Sequence, residues 1–305
     1  MNKESIKIID RKTSTLRSKI HAERIVSLFV ICNLCFAIFF ITACDSRNKN
    51  SAAFNIAGST SVQPYVEVLV EEYAALHPEM LIDVQGGGSS AGIQAVESHT
   101  ADIGMSSRNL RDTERELWSI EIAKDALAII INPNNPLITP ENPEVSLTLE
   151  EIRAIYAADY VNWNQLGGPD ARIHIITREE GSGTRSAFED LVMDERRITP
   201  RAIVQDSNGS VRQLVSSDPF SIGFISLGLV EVGERPVKAL QIDGVTATRN
   251  NVLNGDYSLF RSFLFVSLER PTGNVMQFIE FIRSPEGQNI MTNEGLIPEF
   301  GTYDD

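Results

Sequence analysis

Four times along this chain a strand-like run stops at a short turn of glycine, serine and threonine, and most of those turns open a stretch of helical periodicity. "FNIAG" (54–58) is apolar and followed by Ser59, Thr60 and Ser61. Apolar residues then fall at Val62, Val66, Leu69, Val70 and Tyr73, which is helical spacing. Pro64 sits near the first turn of that helix, where a missing N–H costs nothing. "MLIDVQ" (80–85) leads into "GGGSS" (86–90) and a short helix over 91–98. "ADIGMSSR" (101–108) ends a third strand in hydroxyls, and "RIHIITR" (172–178) precedes "EGSGT" and a helix over 185–193. Strands alternating with helices predict an α/β fold with a mostly parallel, doubly wound sheet.

Further segments extend the pattern. "ALAIIIN" (126–132) reads as a fully apolar strand, and Pro133, Pro136, Pro140 and Pro143 follow it. This shift in composition marks a crossover between domains. Residues 147–157 and 208–217 read as helices; 202–206, 221–227 and 260–266 read as strands. An amphipathic helix over 274–284 closes the chain, and the tail is expected to return to the first domain. A length of 305 residues exceeds what one core usually serves, which favours two domains.

The first 43 residues stand apart. Arg11, Lys12, Arg17, Lys19 and Arg24 precede an apolar run over 25–43, the layout of an export signal. The run is also long enough to span a bilayer as an uncleaved anchor. Its end, "ITAC" (41–44), resembles a bacterial lipoprotein cleavage box. That resemblance makes Cys44 the lipid-bearing N-terminus of the mature protein and residues 44–52 a polar tether. The globular part is thereby expected outside the cytoplasm, held at the outer face of the cytoplasmic membrane. Cys32 and Cys35 lie within the apolar run, so after cleavage one cysteine remains and no internal disulfide can form.

Charge narrows the function. The formal net charge is −14; residues 1–43 carry seven basic and three acidic residues, leaving −18 for the remainder. A nucleic-acid binder has the opposite balance, so none is expected as partner. No glycine-rich turn is followed by Lys-Ser or Lys-Thr, which excludes a nucleotide-phosphate loop. The histidines are scattered and imply no metal, and nothing implies a cofactor.

The turns suit a small anion. Ligands of open α/β sheets bind beyond the C-terminal strand ends, where helix starts offer unpaired N–H groups. Serine and threonine add donors without net charge, although they are also common helix caps. Arg178 ends an apolar strand, where a charge is costly unless paired. Glu179 or Glu180 can supply the pairing, while the guanidinium fork matches an oxyanion.

"GSTSVQP" (58–64), "GGGSSAGI" (86–93), "ADIGMSSR" (101–108), "REEGSGTRSAF" (178–188) and "SIGFISL" (221–227) resemble, in order and spacing, the phosphate-binding proteins of ABC importers. These are the PstS-type members of the type II periplasmic-binding fold. The resemblance implies two lobes, each a doubly wound sheet, joined by crossover strands near 126–132 and 221–227. Lobe 1 would take residues 53–128 and 225–305, and lobe 2 residues 129–224. It implies inorganic phosphate as ligand, permease subunits as partners, a monomer, and no chemistry on the ligand. By the same resemblance Thr60, Ser61 and Ser89 would donate to the anion from one lobe. Arg178, oriented by Glu180, would do so from the other with Ser182, Gly183 and Thr184. One position departs: the best-known members carry an aspartate that accepts the proton of hydrogen phosphate and excludes sulfate, where this chain has Ser107 followed by Arg108. Both are expected among the ligand-binding residues, Ser107 as acceptor or donor and Arg108 as a second cation or as the partner of a neighbouring carboxylate.

Three other readings remain. The same dipoles would hold sulfate, molybdate or a phosphonate. The fold could serve a ligand-free sensor or adhesin. Finally, Gly88, Ser90 and Gly92 spell the G-x-S-x-G elbow of α/β-hydrolases, with His77, His99 or His174 as candidate bases.

Overall fold

The computed structural model describes residues 52–231 and 236–298. The expected signal segment, Cys44 and most of the tether lie outside the described residues. No described helix is long and apolar enough to cross a membrane.

The elements run β1 (Ala52–Gly58), α1 (Gln63–Leu76), β2 (Met80–Gly86), α2 (Ser89–Glu97), β3 (Ile103–Ser106), β4 (Trp118–Ile131), β5 (Ser146–Leu147), α3 (Leu149–Tyr156), β6 (His174–Arg178) and α4 (Gly183–Phe188). There follow β7 (Ile203–Gln205), α5 (Asn208–Ser217), β8 (Ser221–Ser226), β9 (Lys238–Ala239), β10 (Gln241–Ile242), α6 (Arg249–Leu253), β11 (Phe260–Ser267), α7 (Gly273–Arg283), α8 (Pro285–Asn293) and β12 (Ile297–Pro298). The main sheet has the order β2-β1-β3-β11-β4-β8-β6-β7. β1 pairs in parallel with β2 and β3, and β6 with β7 and β8. β11 and β4 run antiparallel to their neighbours in the middle.

β4 is the spine. Residues 118–126 pair with β11, and residues 127–131 pair with β8. The second stretch is apolar at every position because both its faces are covered. Leu127, Ile129 and Ile131 enter one core cluster, Ala128 and Ile130 another, as the two-residue strand period requires. The first stretch, "WSIEIAKD", mixes four polar residues with four apolar ones and is less uniformly buried, so the apolar pattern of a strand is legible only from Ala126 onward. A third cluster gathers Phe54, Ile56, Val66, Leu69, Ile103 and Phe265 with Phe278 and Ile282 of α7.

Residues 225–259, expected in lobe 1, include β9, which pairs with β4 at Ile130 and Ile131, and β10, which pairs with β5. Leu240, Ile242, Val252, Tyr257 and Leu259 share a core with Ile152, Trp163 and Phe188. The chain thus regains the first half of the sheet at β11, not at β8.

Candidate functional site

Whether the turn hydroxyls are helix caps or something else is decided by where they point. α1 has Val62 as its cap residue and α2 has Gly88, and neither receives a side-chain capping bond. Ser59, Ser61 and Ser89 are buried and face one another's turns instead. Ser59 Oγ donates to Ser107 Oγ (2.8 Å), and Ser107 N donates to Ser89 Oγ (3.0 Å). Ser61 Oγ lies 2.6 Å from Thr184 Oγ1, across the sheet. Ser90 N donates to the carbonyl of Gly181 (3.1 Å). Gly183 packs so tightly on the first half that an added Cβ would stand 2.1 Å from Ser89 Oγ and 2.5 Å from Ser107 Oγ. The four turns named from sequence therefore meet at one place.

Ser182 is the exception. Its hydroxyl accepts from Arg185 N (3.3 Å) and caps α4. The cap uses an oxygen lone pair and leaves the hydroxyl proton for the expected donor role.

Arg178 is 1% exposed. Its Nε and Nη2 donate to the two carboxylate oxygens of Glu179 (both 2.9 Å), and Nη2 also to Thr60 Oγ1 (3.2 Å) and the Asp206 carbonyl (3.1 Å). The expected partner, Glu180, is exposed and lines a separate cavity of about 850 Å³ with Arg111 and Arg185. The turn explains the swap. Gly181 takes a left-handed φ of +94°, which favours glycine, and the chain reverses there with Glu179, not Glu180, beside the guanidinium. Arg178 Nη1 is buried without a hydrogen-bond partner.

Sequence reading missed a second buried cation. Arg261 of β11 is 6% exposed and pairs with Asp125 of β4 through Nε (3.1 Å) and Nη2 (2.9 Å). Nη2 also donates to Ser61 Oγ (3.1 Å), and Nη1 has no partner. Ser226 Oγ donates to the other Asp125 oxygen (2.7 Å). Burial pushes the Asp125 carboxyl up and the Arg261 guanidinium down, with Arg178 nearby adding to the latter. Asn208, the first residue of α5, was also missed; its Nδ2 donates to Ser61 Oγ (2.8 Å) and Thr60 Oγ1 (3.4 Å). One signal was available: Asp125 opens the apolar run "DALAIII" and Arg261 is the one charge in "FRSFLFV", and charges of opposite sign buried in strands require a partner.

Arg108 is held fast by Glu114 through Nη1 (2.7 Å) and Nη2 (2.9 Å), with Nη2 also reaching Ser90 Oγ (3.3 Å). Hydrogen bonds from Arg108 hold the Glu114 carboxyl below the usual range. A depressed folded pKa gives stability that is present above the unfolded value and lost as pH falls through the folded one. Between pH 6 and 3 the wild type is therefore expected to lose stability more steeply than Glu114→Gln, as read from urea midpoints across that range; parallel losses would contradict it. As for the elbow reading, His174 is bonded to Asp218 (2.6 Å) and His77 lies 3.7 Å from Glu79. No described histidine bonds Ser90.

Comparison with known proteins decides the family. A PBP superfamily domain is recognised over residues 45–286. The phosphate-binding protein PstS of Borreliella burgdorferi is 30% identical over 262 residues, covering 82% of this chain and 91% of that protein. This chain belongs to the PBP superfamily, among its PstS-type members. A solved substrate-binding protein assigned to a phosphate ABC transporter of Clostridium perfringens, with phosphate bound, superposes with a TM-score of 0.75 at 38% identity, covering 81% of this chain and 100% of that one. An ABC-type phosphate transport receptor from Vibrio cholerae gives 0.65 at 36% identity, covering 80% and 99%. The PstS-type fold accounts for the mixed sheet with its long shared strand, and the expected two-lobed α/β class stands.

Proposed function

We propose that this protein captures inorganic phosphate between two lobes outside the cytoplasm and delivers it to the permease of an ABC importer. The observation that carries the reading is the pair Arg178 and Arg261. Each is more than nine-tenths buried, each is tied to one turn through Nη2, and each keeps Nη1 unpaired. Two such forks beside four hydroxyl-rich turns supply charge and dipoles for a tetrahedral oxyanion. The relatives described above, a phosphate-binding protein and two phosphate-transport receptors, support phosphate over its rivals.

In this reading lobe 1 comprises residues 53–126 and 260–298, and lobe 2 the stretch between, with β4 and the entry to β11 as hinges. Thr60, Ser61, Ser89, Ser107 and Arg261 bind from lobe 1; Arg178, Gly183, Thr184 and Asn208 bind from lobe 2. Cleavage before Cys44 and its lipidation tether a monomer to the membrane. The ligand leaves unchanged, and Ser90 serves Arg108, not catalysis.

Calorimetry of the full chain in detergent, with phosphate, sulfate and molybdate, tests the reading. Phosphate is expected to bind with micromolar or tighter affinity, about −8 kcal/mol or better, and ahead of the others. No heat with phosphate would end it. Closure is tested separately. Thr184→Ala removes the 2.6 Å contact with Ser61, so phosphate affinity should fall about 2–12-fold with little change in the ligand-free melting temperature. Matching losses in both would refute a role in closure.

A further inference from the structure

Among the described residues, Asn208 Oδ1 is the one buried side-chain atom without a hydrogen-bond partner that can only accept. The residue is 1% exposed. Its amide nitrogen is turned toward two hydroxyl oxygens, Ser61 Oγ (2.8 Å) and Thr60 Oγ1 (3.4 Å), which leaves Oδ1 on the other side of the amide. Its position is fixed as well: Ser207 caps α5 by accepting from Ser210 N (3.0 Å), which locks the first helical residue in place. The same two hydroxyls take Nη2 of Arg178 and Nη2 of Arg261. Three residues thus bond to the adjacent Thr60 and Ser61, and each keeps one further buried atom unpaired: Nη1 of Arg178, Nη1 of Arg261 and Oδ1 of Asn208.

That complement has a chemical meaning. At neutral pH phosphate keeps at least one proton and presents both acceptor oxygens and one O–H donor. Sulfate presents acceptors alone. We infer that Asn208 Oδ1 accepts the proton of bound hydrogen phosphate and sets the preference for phosphate over sulfate. This rests on the phosphate reading above and deepens it.

Ser107, which stands where the resemblance expects an acidic acceptor, does not fill that role. It accepts from Ser59 Oγ and retains its own proton to donate, so it does not penalise a ligand lacking a proton. The nearby carboxylates are also spent: Asp125 on Arg261 and Ser226, Glu179 on Arg178, Glu114 on Arg108. A buried acceptor left facing a proton-free anion loses its partner and meets repulsion, which is how a site rejects a close isostere.

The test is the ratio of phosphate to sulfate affinity, measured by calorimetry on the full chain. A purely structural role for Asn208 would lower both affinities together and leave the ratio alone. Asn208→Ala should cut the ratio at least tenfold. Asn208→Asp, which keeps the acceptor and the helix start, should hold the ratio at or above that of the wild type, and it carries the test if the alanine variant does not fold. A ratio within threefold of wild type in Asn208→Ala, or a collapse in Asn208→Asp, overturns the inference while leaving phosphate binding intact. A wild type that does not bind phosphate overturns both readings.

Discussion

Asp125→Ala should lower the free energy of unfolding by about 3–5 kcal/mol and the melting temperature by about 6–20 °C. The carboxylate is 1% exposed and receives two bonds from Arg261 and one from Ser226. Truncating it leaves a buried guanidinium without its counter-charge. Three strands are released at once, because Asp125 lies on β4, Ser226 on β8 and Arg261 on β11. A second variant separates the cost of the orphan charge from the worth of the pair. Replacing both partners by apolar residues, Asp125→Leu with Arg261→Met, should recover most of the stability, since buried ion pairs rarely outperform a well-packed apolar substitute. The double variant should still bind phosphate poorly, because Ser61 has lost the cation that fixes its hydroxyl. Calorimetric melting of both variants decides the matter. A single variant that melts with the wild type would mean that Asp125 is not bearing charge against Arg261.

Arg178→Ala should weaken phosphate affinity by about 10²–10³-fold, the usual result of truncating one side of a buried, hydrogen-bonded charge pair. Arg178→Lys should do little better. An ammonium has three donors about one point and no planar fork. Here the side chain must already satisfy Glu179, Thr60 and the Asp206 carbonyl before it reaches a ligand. The loss should persist at high salt, because burial limits screening. Titration at two ionic strengths checks both points. A lysine variant within fivefold of wild type would remove Arg178 from the site.

The fold was largely open to reading where apolar periodicity is strong. α5 was read with its observed bounds, and β1, α1, β2, α2, β6 and β8 within a few residues. Misses came where pattern and environment part company. The first stretch of β4 carries Glu121, Lys124 and Asp125 and too little apolar alternation to look like a strand. α8 follows α7 after a single residue, Ser284, so the two blend into one amphipathic tail. In the site, Thr60, Ser61, Ser89, Ser107, Arg178, Gly183 and Thr184 were named and do meet. Asn208, Arg261 and Asp125 were not: nothing local distinguishes a helix-start asparagine, and a charge in an apolar strand signals that it needs a partner without saying which one.

Local sequence determined that strands end in hydroxyl-rich turns, because backbone preference and hydrophobic period act over a few residues. It also determined that Arg178 needs a carboxylate, since a charge ending an apolar strand must be paired. Tertiary structure alone decided which carboxylate: the left-handed turn at Gly181 brings Glu179 to the guanidinium and leaves Glu180 in solvent. It alone joined Asp125 to Arg261, 136 residues away, and aimed Asn208 at Ser61. Hydrogen bonds extend about three ångströms, so which groups share a pocket depends on how distant strands register in one sheet.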